Sequence, residues 1–449
     1  MTNSQPASFD GSKDDAAQRR VIRTLVGAQI LSGAGLAAGV SVGALLAQDM
    51  FGSEGLAGVP AALFTIGSAG AAVAVGRTSD RHGRRRGLSL GYATGALGAI
   101  LIVAAASIGS TALLLPSLLI YGAGTATNLQ ARYAGADLAT PEHSARAIST
   151  VLVATTIGAV VGPNMISPMG NLAEAVGVPR LAGPFLLAAA AYGLAAVVLQ
   201  TRLHPDPLLL ARERALKSAE AIPVQVTGHD ADGAHAPDGA AAHSVGDRPS
   251  RESMQRRVLL GGFVMVVAQI VMAAIMTMTP VHMRAHGHGL AASGVVIAAH
   301  IAGMYLPSPL TGRLVDRFGA SAIAIASGVT LAISGLMAAA TPSSSVIGLG
   351  AALTVLGLGW NLGLLSGTSI VTDAVPIEVR ARTQGSVDLS IAIAGTTGGL
   401  GSGVVVASSS YPMLAMVGAV IAIAVLPIVA FTTRSPRNDR VSRAARSSV

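Results

Sequence analysis

The chain has 449 residues, 51% of them hydrophobic and only 12% charged, where a soluble domain carries about 25% charged residues. It has no cysteine, which excludes disulfides, thiolate catalysis and cysteine metal clusters. The formal net charge of +8 could suggest a nucleic-acid partner, so where the basic residues fall along the chain decides its meaning.

Residues 1–20 are polar and mixed in charge and read as a tail. They lack the short apolar core and small-residue cleavage site of a signal peptide. Six apolar runs follow at 22–48, 55–75, 87–108, 111–135, 147–169 and 180–201. Each is near the roughly 20 residues that a helix needs to cross hydrocarbon. Residues 204–255 interrupt the pattern with Pro, Gly, Ala and Asp. Leu208 to Ala221 reads as an amphipathic helix on the cytoplasmic face, and the rest as a disordered linker. Six further runs occupy 257–281, 290–311, 320–340, 345–370, 384–407 and 411–432, before a basic tail at 434–449. The pattern predicts an all-α membrane protein of twelve transmembrane helices, in two six-helix bundles over 21–203 and 256–433.

Of the 30 Lys and Arg, 28 fall on one side of this topology; only Arg180 and Arg284 lie on the other. Basic residues collect in cytoplasmic loops, so both termini and the linker are expected in the cytoplasm, with the chain in the inner membrane. The same distribution explains the +8 as orientation charge beside lipid headgroups and leaves no case for nucleic acid. The expected partners are the bilayer and a transported ion or small molecule. The chain reads as a monomer, not an enzyme, with no resident cofactor.

The two halves repeat. Gly76-Arg-Thr-Ser-Asp80-Arg81-His-Gly83 follows the second run, and Gly312-Arg-Leu-Val-Asp316-Arg317-Phe-Gly319 follows the eighth, 236 positions later. Asp137, Glu142 and Arg146 recur at the same offset as Asp373, Glu378 and Arg382. A constant offset over separated motifs indicates a duplicated bundle, and parallel six-helix repeats place a substrate site between them near the midplane. The stretch Gly76 to Arg85, read as Gly-x-x-x-Asp-Arg-x-Gly-Arg-Arg, resembles the signature loop of the major facilitator superfamily. That resemblance covers essentially the whole chain and implies a cytoplasmic latch between the halves built on Gly76, Asp80, Arg81, Gly83 and Arg84. The second copy, with Asp316 and Arg317, has Ala320 and Ser321 where the trailing Arg pair stands, so a weaker latch is expected there. Topology alone would also account for the arginines.

Two further features bear on coupling. Gly158-Ala-Val-Val-Gly162-Pro163 resembles part of the superfamily's antiporter motif, although its further glycine is missing; a bending and packing site is the simpler reading. The helix-four Arg of many exporters is replaced by Leu118. Candidate proton-coupling residues are Arg132 and Asp137 at the end of the fourth run and Asp388 in the eleventh, where a buried charge is costly; a snorkelling arginine and an interfacial helix cap would also account for them.

Methionine and histidine gather in the seventh and eighth runs. Met272 and Met276 share one helix face, as do His300 and Met304. The turn between the runs carries His282, Met283, His286 and His288, a candidate mouth. Thioether and imidazole suit a soft cation such as Cu(I). With residue 286 as apex, the four inner residues span roughly 12 Å of depth at about 1.5 Å per residue, a ladder of sites rather than one cage. Met-x-x-x-Met followed by His-x-x-x-Met resembles the copper-importing branch of the superfamily. That branch in its broad sense also includes vitamin transporters such as those for riboflavin. The leading expectation is a secondary importer of copper, as substrate. The alternative is a proton-coupled transporter of a small organic molecule, either a drug-like exporter or a vitamin importer. A non-transporting membrane sensor is the third reading. Ordinary core packing would also account for the methionines and for His300.

Overall fold

A computed structural model describes residues 11–51, 59–220 and 251–434. The expectations for residues 1–10, most of the linker (221–250) and the basic tail from 435 lie outside the described residues. The first bundle contains α1 (Gly11–Phe51), α2 (Val59–His82), α3 (Arg84–Ser107), α4 (Thr111–Ala136), α5 (Ser144–Asn164), α6 (Ile166–Ala175) and α7 (Gly183–Arg202). A short helix, α8 (Pro207–Glu220), follows it. The second bundle contains α9 (Arg251–Ala285), α10 (Leu290–Tyr305), α11 (Ser308–Phe318), α12 (Ala320–Ala340), α13 (Val346–Ala374), α14 (Arg380–Ser408), α15 (Tyr411–Ile423) and α16 (Val425–Arg434).

Three predicted spans are each split into two helices, and proline is the reason. The first segments end at Asn164, Tyr305 and Ile423; Pro168, Pro309 and Pro427 stand four residues after them. A proline lacks the N–H that would bond the carbonyl four residues back, and its ring clashes with that carbonyl. Pro116 in α4 and Pro280 in α9 do not split their helices, because membrane bundles re-satisfy the freed groups. Among the described residues, nine helical stretches are long and apolar enough to cross a membrane, and each coincides with a predicted span. Ile347, Phe431, Leu259 and Val404 turn outward at 70% exposure or more, an outer surface suited to lipid.

Each bundle buries most of its core within itself, although Ala136, Ile148 and Leu152 of the first bundle join the cluster of the second. Leu25, Tyr92, Tyr121, Phe185 and Tyr192 belong to one cluster, while Val264, Met272, Leu331, Leu353 and Trp360 belong to the other. Small residues set the helix spacing. A Cβ on Gly158 would stand 2.1 Å from the Ile30 carbonyl oxygen on α1, so α1 and α5 pack at backbone contact, as the packing reading of that motif requires. The bundles meet mainly where α2 crosses α14 and where α5 meets α11.

Candidate functional site

The two signature loops have the same backbone shape. Gly83 (φ 88°) and Gly319 (φ 84°) occupy matching positions and link α2 to α3 and α11 to α12 in a left-handed conformation that other residues rarely adopt. Gly76 and Gly312 sit at the two crossings between the bundles. A Cβ on Gly76 would stand 2.9 Å from the Gly385 Cα, and one on Gly312 would stand 2.9 Å from the Ala145 carbonyl oxygen. At this basic end the two halves are therefore in close contact.

The charged partners differ between the loops. Asp316 accepts a hydrogen bond from the Ala145 N–H at 3.1 Å, and the Arg146 guanidinium lies 3.1 Å away as an ion pair without a well-aligned hydrogen bond. By the repeat, Asp80 would face Arg382. Instead Arg382 is exposed, and Asp80 pairs at 2.7 Å with Arg212 of α8. Arg81 and Arg317 are also exposed, and neither joins these contacts; Arg317 lies over the Phe318 ring.

Behind the first loop lie two buried arginines. Arg84 is fully buried; its Nε donates to Asp137 Oδ2 at 2.8 Å, and Nη2 donates to Gln384 Oε1 on α14 at 2.5 Å. Gln384 in turn donates to Thr372 on α13 at 3.2 Å. Asp137, read from the sequence as a coupling candidate with Arg132, is thus the partner of Arg84. Arg132, also fully buried, crosses to the second bundle: Nη2 donates to Asp388 Oδ1 at 2.8 Å and Nε to Thr368 Oγ1 at 3.1 Å. The Tyr133 hydroxyl lies between the two, accepting from Arg132 at 2.9 Å and donating to Asp388 at 3.2 Å. Asp388 Oδ2 is buried and holds no hydrogen bond. A buried guanidinium–carboxylate pair is tolerated only with such extra partners, and removing either member leaves an uncompensated charge.

The methionine and histidine residues lie on α9, on α10 and in the turn between them. The main neighbour of α10 is α13, whereas α9 packs on α13 and α14. Met272, Met283 and Met304 are buried in one apolar cluster, with Met276 packed against it. His300 is fully buried. Its Nδ1 stands 2.8 Å from the Leu353 carbonyl oxygen on α13, which can only accept, so Nδ1 carries the proton. Nε2 then presents a lone pair, and it is buried without a partner. At the opposite end of α9, the His282 ring stacks on Tyr411 with centroids 4.4 Å apart, and His286 lies 4.4 Å from His282. His288 bonds the Ser343 carbonyl oxygen at 2.7 Å. Gly287 (φ 82°) makes the turn between α9 and α10.

Sequence reasoning missed two groups. The first is Arg212, concealed in a segment read only as amphipathic. The second is a buried knot in the first bundle, where Gln29, Ser32, Tyr92, Asn128 and Thr155 bond one another. Asn128 stands four residues before Arg132 in the fourth run, and Gln29 and Ser32 recur at a three-residue spacing inside an apolar run, which was the available signal. The second bundle has a smaller counterpart, with Trp360 donating to Gln269 at 2.8 Å and Tyr305 edge-on to the Trp360 ring at 5.8 Å.

The sequence profile of the Major Facilitator Superfamily matches residues 25–305 and 259–448. YdeG, an uncharacterized MFS-type transporter of Bacillus subtilis, is 51% identical over 420 residues, covering 94% of this chain and 93% of its own. The riboflavin transporter RfnT of Brucella anthropi is 30% identical over 379 residues, covering 84% and 86%. Among solved structures, the proton:xylose symporter XylE superposes with a TM-score of 0.70 at 13% identity, over 92% of this chain and 95% of its own, a likeness of fold alone. The duplicated bundles, the paired signature loops and these relatives agree: the chain is a membrane transporter, not an enzyme, and belongs to the Major Facilitator Superfamily.

Proposed function

We propose that this chain is a proton-coupled secondary transporter of a small organic solute, working by alternating access with its basic end in the cytoplasm. The observation that carries this reading is the buried Arg132–Asp388 pair across the interface between the bundles. Pulling the halves apart would strand two charges in a low dielectric, which is costly. A proton on Asp388 neutralises one of them and gives the unpartnered Oδ2 a hydrogen to donate. Proton binding and separation of the halves are thereby linked through one equilibrium. The solute class is supported by the 30% identical relative named as a riboflavin transporter. Trp360, Tyr305 and Gln269 offer a planar heteroaromatic solute a stacking wall and a hydrogen-bonding amide. The test uses proteoliposomes with riboflavin and a panel of organic solutes under an imposed pH gradient. Asp388→Asn should lose gradient-driven accumulation while retaining exchange of labelled for unlabelled solute. Equal accumulation by Asp388→Asn and the wild type would remove the coupling role.

A second reading, import of a soft cation, rests on one feature: His300 Nε2 is a buried lone pair with no partner, one helical turn before Met304. A histidine whose other nitrogen donates to a carbonyl is the usual arrangement for a metal ligand. His300→Leu and Met272→Leu should abolish radiocopper uptake, with smaller losses for Met276→Leu and Met304→Leu and none for Met337→Leu. Normal copper uptake by the first two variants, or none by the wild type, removes this reading. Orientation is tested separately: an impermeant thiol reagent applied outside should label a cysteine at Gly287 and miss one at Gly239.

A further inference from the structure

We infer that Arg212, in the segment joining the two bundles, is a positioning residue of the transport cycle: it bolts the two halves together at the basic end and sets how often that end opens. The inference needs alternating access but not the identity of the solute.

The start of α8 is fastened to the first bundle. Asp206 caps the helix, accepting from the Leu208 and Leu209 N–H groups at 3.1 and 3.2 Å. The same carboxylate accepts from the Arg85 N–H at 2.8 Å, beside Gly83, where a Cβ would stand 2.4 Å from the Asp206 Oδ2. His204 reaches Arg85 at 2.6 Å, and Leu203 and Leu208 are fully buried. The beginning of α8 thus moves with the first signature loop.

From this base the Arg212 guanidinium spans both halves. On the first bundle it donates to the Asp80 carbonyl oxygen at 2.6 Å and to Asp80 Oδ1 at 2.7 Å. On the second it donates to the Ile377 carbonyl oxygen at 3.2 Å and to the Glu378 carbonyl oxygen at 2.5 Å, just before α14 begins. The rigid fork of donors suits this task, because one planar group can satisfy acceptors from two directions. If α2 and α14 separate, the bonds to residues 377 and 378 must break while those to Asp80 can persist. Arg212 therefore favours the state in which the basic end is closed, and only that state. The repeat supports a gating role over mere anchoring. In the other crossing Asp316 is served by Arg146 of the opposite bundle; here the equivalent Arg382 is exposed and Arg212 has taken its place.

Because the chain has no cysteine, spin labels can be placed at will. One pair, His82→Cys with Ser386→Cys, spans the crossing between exposed positions. A second pair, Arg77→Cys with Leu216→Cys, reports α8 against its own bundle. Distances are measured by pulsed electron resonance on the full chain in lipid nanodiscs without solute. Arg212→Gln should raise the open-to-closed ratio of the first pair by roughly tenfold, within the usual range of a coupling free energy. Arg212→Lys keeps the charge on Asp80 but loses the fork, and should fall between. If Arg212→Gln and Arg212→Lys both leave the first pair at the wild-type distribution, the inference is overturned. A change confined to the second pair also overturns it, since that would make Arg212 an anchor for α8 alone. These distances are read without solute, so a failure of the proposed solute or of proton coupling would leave this result standing, and the reverse.

Discussion

The two crossings between the bundles are copies of one another, yet they are built with different strength. Both bring helices to backbone contact at a glycine, and both place an aspartate at the loop. The α2–α14 crossing adds fully buried Arg84, bonded to Asp137 and Gln384, and recruits Arg212 from the linker. The α5–α11 crossing relies on Arg146, whose side chain is 50% exposed. Duplication preserved the backbone geometry, which depends on glycine and φ, while the charges diverged. The consequence is an asymmetric gate, with a fully buried arginine behind one seam and a half-exposed arginine at the other.

The sharpest way to break this comparison is to remove one arginine from each seam. Arg84→Gln leaves Asp137 buried without its charge and should cost about 3–5 kcal/mol, read as a large loss of thermal stability in nanodiscs. Arg146→Gln should cost less, because the Arg146 side chain is 50% exposed and Asp316 keeps its hydrogen bond from the Ala145 N–H. Equal losses would show that the burial difference is without energetic weight.

Alanine at the two glycines should make the seams behave alike. Gly76→Ala and Gly312→Ala each force a Cβ to within 2.9 Å of backbone atoms of the opposite helix, an overpacking cost of about 1–3 kcal/mol. Because the strain exists only while the basic end is closed, both should lengthen cross-seam spin-label distances more than they lower stability. A response from only one would mean that one crossing carries the closure.

The smallest effects belong to the loop aspartates and to salt. Asp80→Asn should slow transport, by an amount corresponding to about 0.2–1 kcal/mol for a partly exposed pair. Asp316→Asn should do less, since an amide oxygen can still accept from the Ala145 N–H. Raising the ionic strength should weaken the Arg146–Asp316 seam through screening and leave the Arg84–Asp137 pair unchanged. A salt response that survives Arg146→Gln unaltered would place the screened interaction elsewhere.

The helical bundles, the duplication and the signature loops were legible in the amino-acid sequence because hydrophobic length, a constant offset and a glycine-marked turn are local properties. The breaks at Asn164, Tyr305 and Ile423 are local in the same sense, since Pro168, Pro309 and Pro427 each stand four residues on. Partner choice was not available in this way. Arg132 on α4 and Asp137 just past its end are near neighbours, yet one reaches across to Asp388 in the other bundle and the other turns to Arg84 on α3. Asp80 selects Arg212 over Arg382, although the repeat points to the latter. An ion pair forms where two side chains are brought together and desolvated, and that depends on which helices of the two bundles cross. The sequence alone determined which charges this protein would have to bury; only the tertiary structure decided how they are paired.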